Sequence, residues 1–336
     1  MIELNYDYSS LYENIDEIEK YLLENKDDLS VLNFYKYFAD FFPIKKNLKL
    51  YFLSTDLLNR KVESVMNDIY SKRIIYKKTV DLFYQEIKRK LKAITNDYKT
   101  VSPVISSKEQ LEILKLYFKT TDEELEKIFF EYQKDKKIFH QPYSVGLGQT
   151  SGNVFYNPFS KEPILFLERV HDPIFSIAML AHEFGHVFDF MSYNKCHSSE
   201  ETDFYGMISP YSEVNATYYE FKLYEFLLKN GLYSDAVKKQ IYMCMCEGYL
   251  KDFSTLSKLN DASYVSIEEK ENIKNSVMYG YGLMIALAML DDNDKYSRFQ
   301  EIREPYFNKK RLDLAGFDDS NISKVMVKKI KNYFEK

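Results

Sequence analysis

The chain has 336 residues, of which 45% are hydrophobic, so it can bury a core large enough for one large domain or two ordinary ones. Its 46 basic and 51 acidic residues are scattered and give a net charge of −5, which argues against a basic nucleic-acid-binding face. The acidic N-terminus lacks a signal-peptide pattern, and the longest apolar run, LMIALAML, is too short to cross a bilayer.

Cysteine usage predicts a reducing environment. The chain has three cysteines, too few and of the wrong parity for a disulfide framework. Cys244 and Cys246 lie in an apolar run without obvious partner ligands, so we expect buried thiols there. With no signal peptide or membrane span expected, these features predict a cytoplasmic protein.

Residues 1 to about 140 are predicted to form successive helices, because apolar residues recur at three- and four-residue spacing, as in NIDEIEKYLLEN. One of these helices, TTDEELEKIFFEYQ, has a predicted capping box with Thr121 as the N-cap and Glu124 at N3. This half contains no polar cluster of a catalytic type. We therefore expect it to serve as a scaffold or as one wall of a cleft.

The sequence changes in character between residues 141 and 169. Gly146, Gly148 and Gly152 are followed by two short runs rich in aromatic and β-branched residues, separated by NPFSKEP. This pattern predicts a β-hairpin or small sheet, which contains the only strands we expect in the chain.

Helical periodicity resumes in HDPIFSIAMLAHEFGHVFDFMSY, where Asp172 is the predicted N-cap and Pro173 occupies the first helical position. After a polar loop over 194–208, another helix is predicted to open at Ser209 and to stop at Gly231. Two or three more helices are expected to complete the chain.

The first of these helices carries three ionisable residues in an apolar sequence. His182, Glu183 and His186 form an H-E-x-x-H pattern. Residues four apart lie on one face of a helix, one turn from each other, so the two imidazoles can bind Zn²⁺ together. Glu183 is then placed to act as a general base toward a water molecule at the open side of the metal.

A catalytic zinc site needs a third protein ligand and an open position. Glu213, early in the next helix and 27 residues after His186, is the predicted third ligand. Thr217 and Glu220 follow on the same helix face and are predicted to orient a ligating side chain. The alternative ligands are Glu200, Glu201 and Asp203, which lie in a loop with no helix to fix them. His197 is a further alternative, but it lies eleven residues after His186 and does not fit the H-E-x-x-H-x-x-G-x-x-H spacing.

LAHEFGHVFDF and YSEVNATYYE resemble the two zinc-binding motifs of the thimet oligopeptidase and oligoendopeptidase F family of zinc metallopeptidases (gluzincins). The order of SGNVFYN, PILFLE and the two motif helices is also similar, and the resemblance covers about residues 144–295. It implies a mainly α, multi-helix zincin-type fold with one small β-hairpin or sheet beside the active-site helix. It further implies a substrate cleft between two halves: a helical region, 1–140, as one wall, and a catalytic zinc-binding region, 141–336.

Two features depart from the family pattern. The chain is shorter than typical members, and it has no histidine after His197, whereas the family has one near a Tyr-rich segment. MYGYGLMIALAML resembles that segment, which makes Tyr281 and Tyr279 candidates for stabilising an oxyanion. Two positions apart on a helix point about 200° from each other. We therefore expect only one to face the metal and favour Tyr281, the alternative being an aromatic core helix.

The sequence thus predicts a zinc endopeptidase that hydrolyses internal bonds of oligopeptides with one Zn²⁺ per chain. Gly152, Val154 and Tyr156 are predicted to bind the peptide backbone by strand addition. The alternatives are a zinc carboxypeptidase, a toxin-like protease acting on one protein, and an inactive zinc- and peptide-binding module. A peptide is the expected partner; neither nucleic acid nor a membrane is expected, and the oligomeric state is left open.

Overall fold

The structure is a computed structural model that describes residues 15–25, 28–41, 47–72, 77–94, 102–135, 137–140, 152–167, 172–198, 201–202, 206, 209–258, 267–304, 308–318 and 320–335. It confirms the predicted mainly α fold with one small sheet. The first elements are α1 (Ile15–Glu24), α2 (Leu29–Phe41), α3 (Leu48–Lys72), α4 (Lys77–Ala93), α5 (Ser107–Thr121), α6 (Glu123–Lys134), β1 (Ile138–His140), β2 (Gly152–Asn157), β3 (Glu162–Leu167) and α7 (Pro173–Asn194). The remaining elements are α8 (Ser212–Lys229), α9 (Ser234–Met243), a π-helix (Cys244–Tyr249), α10 (Leu250–Lys258), α11 (Ile267–Met289), α12 (Asn293–Gln300), α13 (Lys309–Leu314) and α14 (Ile322–Glu335).

The chain forms two compact units. Unit 1 comprises Met1–Ser64 and Val104–Met207, and unit 2 comprises Val65–Pro103 and Ile208–Lys336. The roles predicted for residues 1–140 and 141–336 stay predictions. In the part of the chain that the structure describes, no helix is long and apolar enough to span a membrane.

The sheet of unit 1 has the strand order β1-β3-β2. Strands β2 and β3 form the predicted hairpin, antiparallel, with Gly152 opposite Leu167 and Asn157 opposite Glu162. Strand β1 pairs in parallel with β3 and was not predicted. Its three residues directly follow helical sequence and are too few to show a two-residue period.

Helix α7 packs against β2, β3, α5 and α6 within this unit. Phe184, fully buried next to Glu183 in sequence, makes ring contacts with Phe118, Phe129 and Tyr132 at centroid distances of 5.7, 5.1 and 5.6 Å. The Tyr132 hydroxyl donates to the carbonyl of Pro163 in β3 at 2.6 Å. These contacts fix the middle turns of α7 between the helices and the sheet.

The observed start of one helix agrees with the sequence prediction, and the starts of two others differ from it. Asp172 caps α7 as predicted, accepting from the amides of Ile174 and Phe175, with Pro173 at the first helical position. The Thr121 cap is wrong, because α5 continues through Thr121 and the carboxylate of Asp122 caps α6 instead. Ser209 does not open α8; the helix begins at Ser212, and the Ser209 hydroxyl accepts from the Tyr211 amide at 3.1 Å.

Unit 2 is built around α11, which packs against α8, α10, α12 and α14. Helix α4 packs against α10 and α14. Helix α8 ends where predicted, because Gly231 follows its C-cap with φ of 65°, a left-handed conformation that favours glycine.

The Asp172 cap gives a stability prediction. Asp172→Ala should lower the free energy of unfolding by about 1 kcal/mol, because two amides of the first turn of α7 lose their acceptor. Urea titration followed by circular dichroism measures the change. Asp172→Asn retains a side-chain acceptor and should stay close to wild type; equal losses in both variants would contradict a capping role.

Candidate metal centre

His182 and His186 project from the middle of α7, and both are half-buried. Their ring centroids are 5.0 Å apart with an interplanar angle of 78°. This is the arrangement expected of residues one helical turn apart. Glu183, between them in sequence, is only 3% exposed.

The structure brings His182, His186 and Glu213 together. One potential ligand atom from each residue lies within 4.8 Å of the other two, so the group could hold a metal ion. Two imidazoles and one carboxylate form a donor set that suits Zn²⁺, with three protein ligands and a position left for water or substrate. Mg²⁺ and Ca²⁺ prefer sites made of oxygen ligands and fit this set less well.

Glu213 lies in the first turn of α8 and is 5% exposed. A carboxylate at this position interacts favourably with the positive end of the helix dipole. Gly282 of α11 packs directly on it, because a Cβ atom at 282 would come within 2.7 Å of the Glu213 Cβ and 3.1 Å of its carbonyl carbon. The absence of a side chain at 282 therefore lets α11 hold the Glu213 backbone in place.

A second glycine lies against Glu183. A Cβ atom added to Gly152, the first residue of β2, would meet the Glu183 Oε1 at 2.5 Å, its Cγ at 2.6 Å and its Cδ at 2.7 Å. Only glycine lets the strand approach the carboxylate this closely. The start of β2 thus limits where the Glu183 side chain can lie.

The three residues predicted to bind substrate alternate along β2, so they share one face of the strand. Tyr156 is buried; its ring stacks on Phe190 of α7 and its hydroxyl donates to Asn194 at 2.6 Å. This face is therefore directed at α7, and Val154 on it is half-buried. Among the described residues β2 pairs on one side only, so its backbone edge, rather than these side chains, is where a peptide could add.

Thr217 and Glu220 lie on the predicted face of α8, and both are buried. The Tyr224 hydroxyl donates to Glu220 Oε1 at 2.8 Å, and the Cys244 thiol lies 4.0 Å from the same oxygen. Burial, with Glu220 as a smaller cause, raises the pKa of the Cys244 thiol to about 12. The ligand-orienting role of Thr217 and Glu220 stays a prediction.

The π-helix brings residues to this face that the sequence analysis missed. Burial raises the pKa of Tyr249 well above its usual value; the carboxylates of Glu220 and Glu213 raise it further, whereas the Thr217 hydroxyl lowers it. A π-helix has no distinctive residue pattern, so the sequence contained no signal for Tyr249. Asp189, in contrast, could have been found from its spacing, since it is buried and lies one turn after His186 on the ligand face of α7.

Tyr281 is buried in α11, and desolvation raises its pKa, with smaller contributions from Tyr211 and Asp81. Tyr279 is half-buried. The glycines on either side of Tyr281 face opposite ways, since a Cβ atom at Gly280 would meet Leu256 of α10 at 2.6 Å and Gly282 lies on Glu213. The assignment of either tyrosine to an oxyanion stays a prediction.

The alternative ligands are only partly described. His197 stacks on Tyr193 with ring centroids 3.9 Å apart, and its Nδ1 is 3.8 Å from Glu201. Neither belongs to the metal group found in the described part of the chain. The residues that fall outside the described ranges are Gly146, Gly148, Glu200 and Asp203.

Comparison with known proteins assigns no family to this chain. No family model matches it, and no curated protein matches it. A solved structure of a candidate peptidase from Chlamydophila abortus matches with a TM-score of 0.48 and 13% identity over 83% of this chain. The chain spans 61% of the length of that protein.

Asp252 of α10 gives a pH-dependent prediction. Burial raises its pKa from 3.8 to about 6, while a hydrogen bond donated by Ser276 opposes the shift and Glu213 adds to it. The folded state therefore binds the proton of the Asp252 carboxyl group more tightly than the unfolded state does. The stability gained from this difference is full below pH 3.8 and is lost as the pH rises through about 6.

Asp252→Asn cannot ionise, so the variant should be more stable than wild type at pH 8, with a smaller difference at pH 4.5. Urea unfolding at both pH values, with a chelator present to exclude metal ions, measures the two differences. The exposed Asp318→Asn is the control and should show no such trend. The same stability difference between Asp252→Asn and wild type at both pH values would contradict a raised pKa of Asp252.

Proposed function

We propose that this protein is a zinc-dependent peptidase that hydrolyses internal peptide bonds of oligopeptides. His182, His186 and Glu213 would hold the metal, and Glu183 would be the general base. The observation that carries the proposal is the grouping of two imidazoles and a carboxylate within 4.8 Å of one another, with the carboxyl group of Glu183 on the same turn of α7. Two imidazoles and one carboxylate form a donor set that fits zinc.

The chemistry divides between the metal and the chain. Zinc, when bound, supplies Lewis-acid polarisation of the scissile carbonyl and lowers the pKa of a coordinated water. Glu183 accepts the proton of the attacking water as the new C–O bond forms. It then returns that proton to the amide nitrogen as the C–N bond breaks, so the amine departs neutral.

The surroundings of Glu183 support this role. Phe184 anchors its turn of α7 among aromatic rings, and Gly152 of β2 limits the room for its carboxylate. A base held in this way needs little reorganisation to reach its proton. A buried carboxylate next to the ligand pair would have no evident use in a protein that only binds peptides.

Substrate positioning is assigned to the edge of β2 and to Tyr281. An extended peptide that adds to β2 would have its backbone ordered by main-chain hydrogen bonds beginning at Gly152, beside Glu183. The Tyr281 hydroxyl, whose pKa is raised by burial, stays protonated and is able to donate to an oxyanion.

Glu183→Gln tests the base. The variant should bind zinc as wild type does but hydrolyse peptides at least about 100-fold more slowly, because the amide cannot accept the water proton. The assay is digestion of a mixed peptide library, with and without chelator, read by mass spectrometry, alongside metal analysis. Internal cuts favour the endopeptidase, and loss of one residue at a time favours a carboxypeptidase. Unchanged turnover in the variant would remove Glu183 from the mechanism; zinc binding without cleavage in wild type would favour a binding module.

Glu213→Ala tests the third ligand. Zinc affinity should fall by more than about 100-fold, because removing a neighbour of a ligand already costs 10- to 100-fold. Competition with a fluorescent chelator measures the affinity. Glu201→Ala, at an exposed rival carboxylate that accepts from Ser198, is the matched control and should keep wild-type affinity. The reverse order of the two affinities would move the third ligand to the loop before α8.

A further inference from the structure

Arg311 of α13 is a charged side chain buried far more deeply than is usual. It is 0% exposed and is the largest fully buried side chain among the described residues. Its guanidinium carbon lies 4.3 Å from the ring centroid of Tyr211 and 4.2 Å from that of Phe299. The two rings are edge-to-face, with centroids 5.8 Å apart and an interplanar angle of 79°, so the cation packs against two aromatic surfaces that are nearly perpendicular. Cation–π contacts of this kind offset part of the desolvation of the cation, but they do not supply the oxygen acceptors that its N–H groups need.

Most of the donors of this guanidinium lack acceptors. Nη1 donates to the carbonyl of Glu304 at 3.1 Å. Within the described ranges, Nε and Nη2 have no hydrogen-bond partner, and no carboxylate there forms an ion pair with Arg311. A buried cation without a counter-charge is costly, and so is each buried donor without an acceptor.

The two unused donors belong to one edge of the group. Nε–H and the adjacent Nη2–H of a guanidinium point in parallel, and this fork matches the two oxygens of a carboxylate. Nη1, on the other side, is the nitrogen already bound to Glu304. In the described part of the chain, the hydrogen bond to Glu304 thus uses Nη1 and leaves the Nε/Nη2 fork without acceptors.

An independent feature lies next to this cation. Tyr211, whose ring packs against Arg311, is the N-cap of α8, and its side chain makes no capping hydrogen bond. The hydroxyl of Ser212, at the first helical position, is buried and also has no hydrogen-bond partner in the described part of the chain. The amides of Ser212 and Val214 already donate to the carbonyls of Ser209 and Tyr211, so this helix end favours negative charge through its dipole and the unused Ser212 hydroxyl.

We propose that the Nε/Nη2 edge of Arg311, with the first turn of α8, forms a buried binding subsite for a small carboxylate anion. A carboxylate would supply both missing acceptors and the missing counter-charge, whereas a buried water would supply acceptors only. Since Arg311 is fully buried, the ligand class is a single carboxylate group, not an extended polyanion.

The carboxylate has two chemical sources: a free small acid, or the C-terminal carboxylate of a peptide. The second source rests on the proposed peptidase function. It is suggested by position in the chain, because Tyr211 precedes the proposed ligand Glu213 by two residues on the same helix end. A peptide held there by its C-terminus would be anchored by α8, which also provides Glu213.

Acetate is the probe for the site itself. Metal-free wild type should bind acetate by calorimetry and unfold at a higher temperature as acetate increases at constant ionic strength, whereas neutral acetamide should have no effect. Arg311→Lys keeps the charge but loses the fork, and should weaken acetate binding by about 10- to 100-fold. Arg298→Lys, one residue before Phe299 but exposed, is the matched control and should bind acetate like wild type.

Ser212→Ala covers the case in which Arg311→Lys does not fold. It removes one hydroxyl donor, leaves the stacked cation intact, and should also weaken acetate binding, by a smaller factor. No acetate binding by wild type would overturn the proposal, as would acetate affinity that is unchanged in every folded variant at positions 311 and 212.

Peptides distinguish the two sources. Tetra-alanine and its C-terminal amide are titrated into zinc-loaded Glu183→Gln protein, which leaves them intact. Tighter binding of the acid by about tenfold or more, lost in Arg311→Lys, would assign the subsite to the peptide terminus. Equal binding of acid and amide would assign it to a free carboxylate. The acetate result on metal-free protein stands even if wild type cleaves no peptide, so failure of this inference and failure of the peptidase proposal are separately visible.

Discussion

The burial of ionisable side chains inside otherwise apolar helices is the constraint on which the rest of the structure depends. Glu183 of α7 and Glu213 of α8 are each at least nine-tenths buried. Carboxylates at such depth destabilise a fold by several kcal/mol unless other groups compensate them. A divalent cation bound by His182, His186 and Glu213 is one compensation that the donor set allows, and it would couple metal binding to the stability of the helices that present the ligands.

The neighbourhood of Glu213 shows how unit 2 is arranged around such a group. Thr217 and Glu220 continue one buried face along α8, and the π-helix turns Cys244 and Tyr249 toward the same face. A π-helix shifts every later side chain around the helix axis relative to an α-helix. Without that shift, the Tyr249 hydroxyl and the Cys244 thiol would not face Glu220. The π-helix therefore brings these polar groups close to one another.

The sequence predicted the elements that depend on short-range signals. The hairpin β2–β3, the Asp172 cap of α7 and the Gly231 stop of α8 each follow from a few adjacent residues, and all are present. The cap of α6 was predicted at Thr121, one residue before the observed cap, Asp122. Both are good capping residues, and only packing decides between them.

Features that depend on contacts distant in sequence were not predictable in the same way. The spacing of His182 and His186 was enough to place them on one face, but nothing in the sequence indicated that Gly152 lies on Glu183 or that Gly282 lies on Glu213. Arg311 was overlooked because its neighbours come from separate parts of the chain: the N-cap of α8, helix α12 and the segment that contains Glu304. A lone arginine in a sequence normally indicates a solvated side chain, and only the structure shows its burial.

The alternation of glycine and tyrosine in α11 limits how that helix can be docked. Gly280 and Gly282 fit against Leu256 and Glu213 on opposite sides, so a slip of α11 by one position would drive a tyrosine ring into the space that now holds no side chain. Such a slip is excluded by sterics on both flanks at once. The two glycine contacts therefore fix the axial position of α11 between α8 and α10. The position of Tyr281, which lies between the two glycines, is fixed with it.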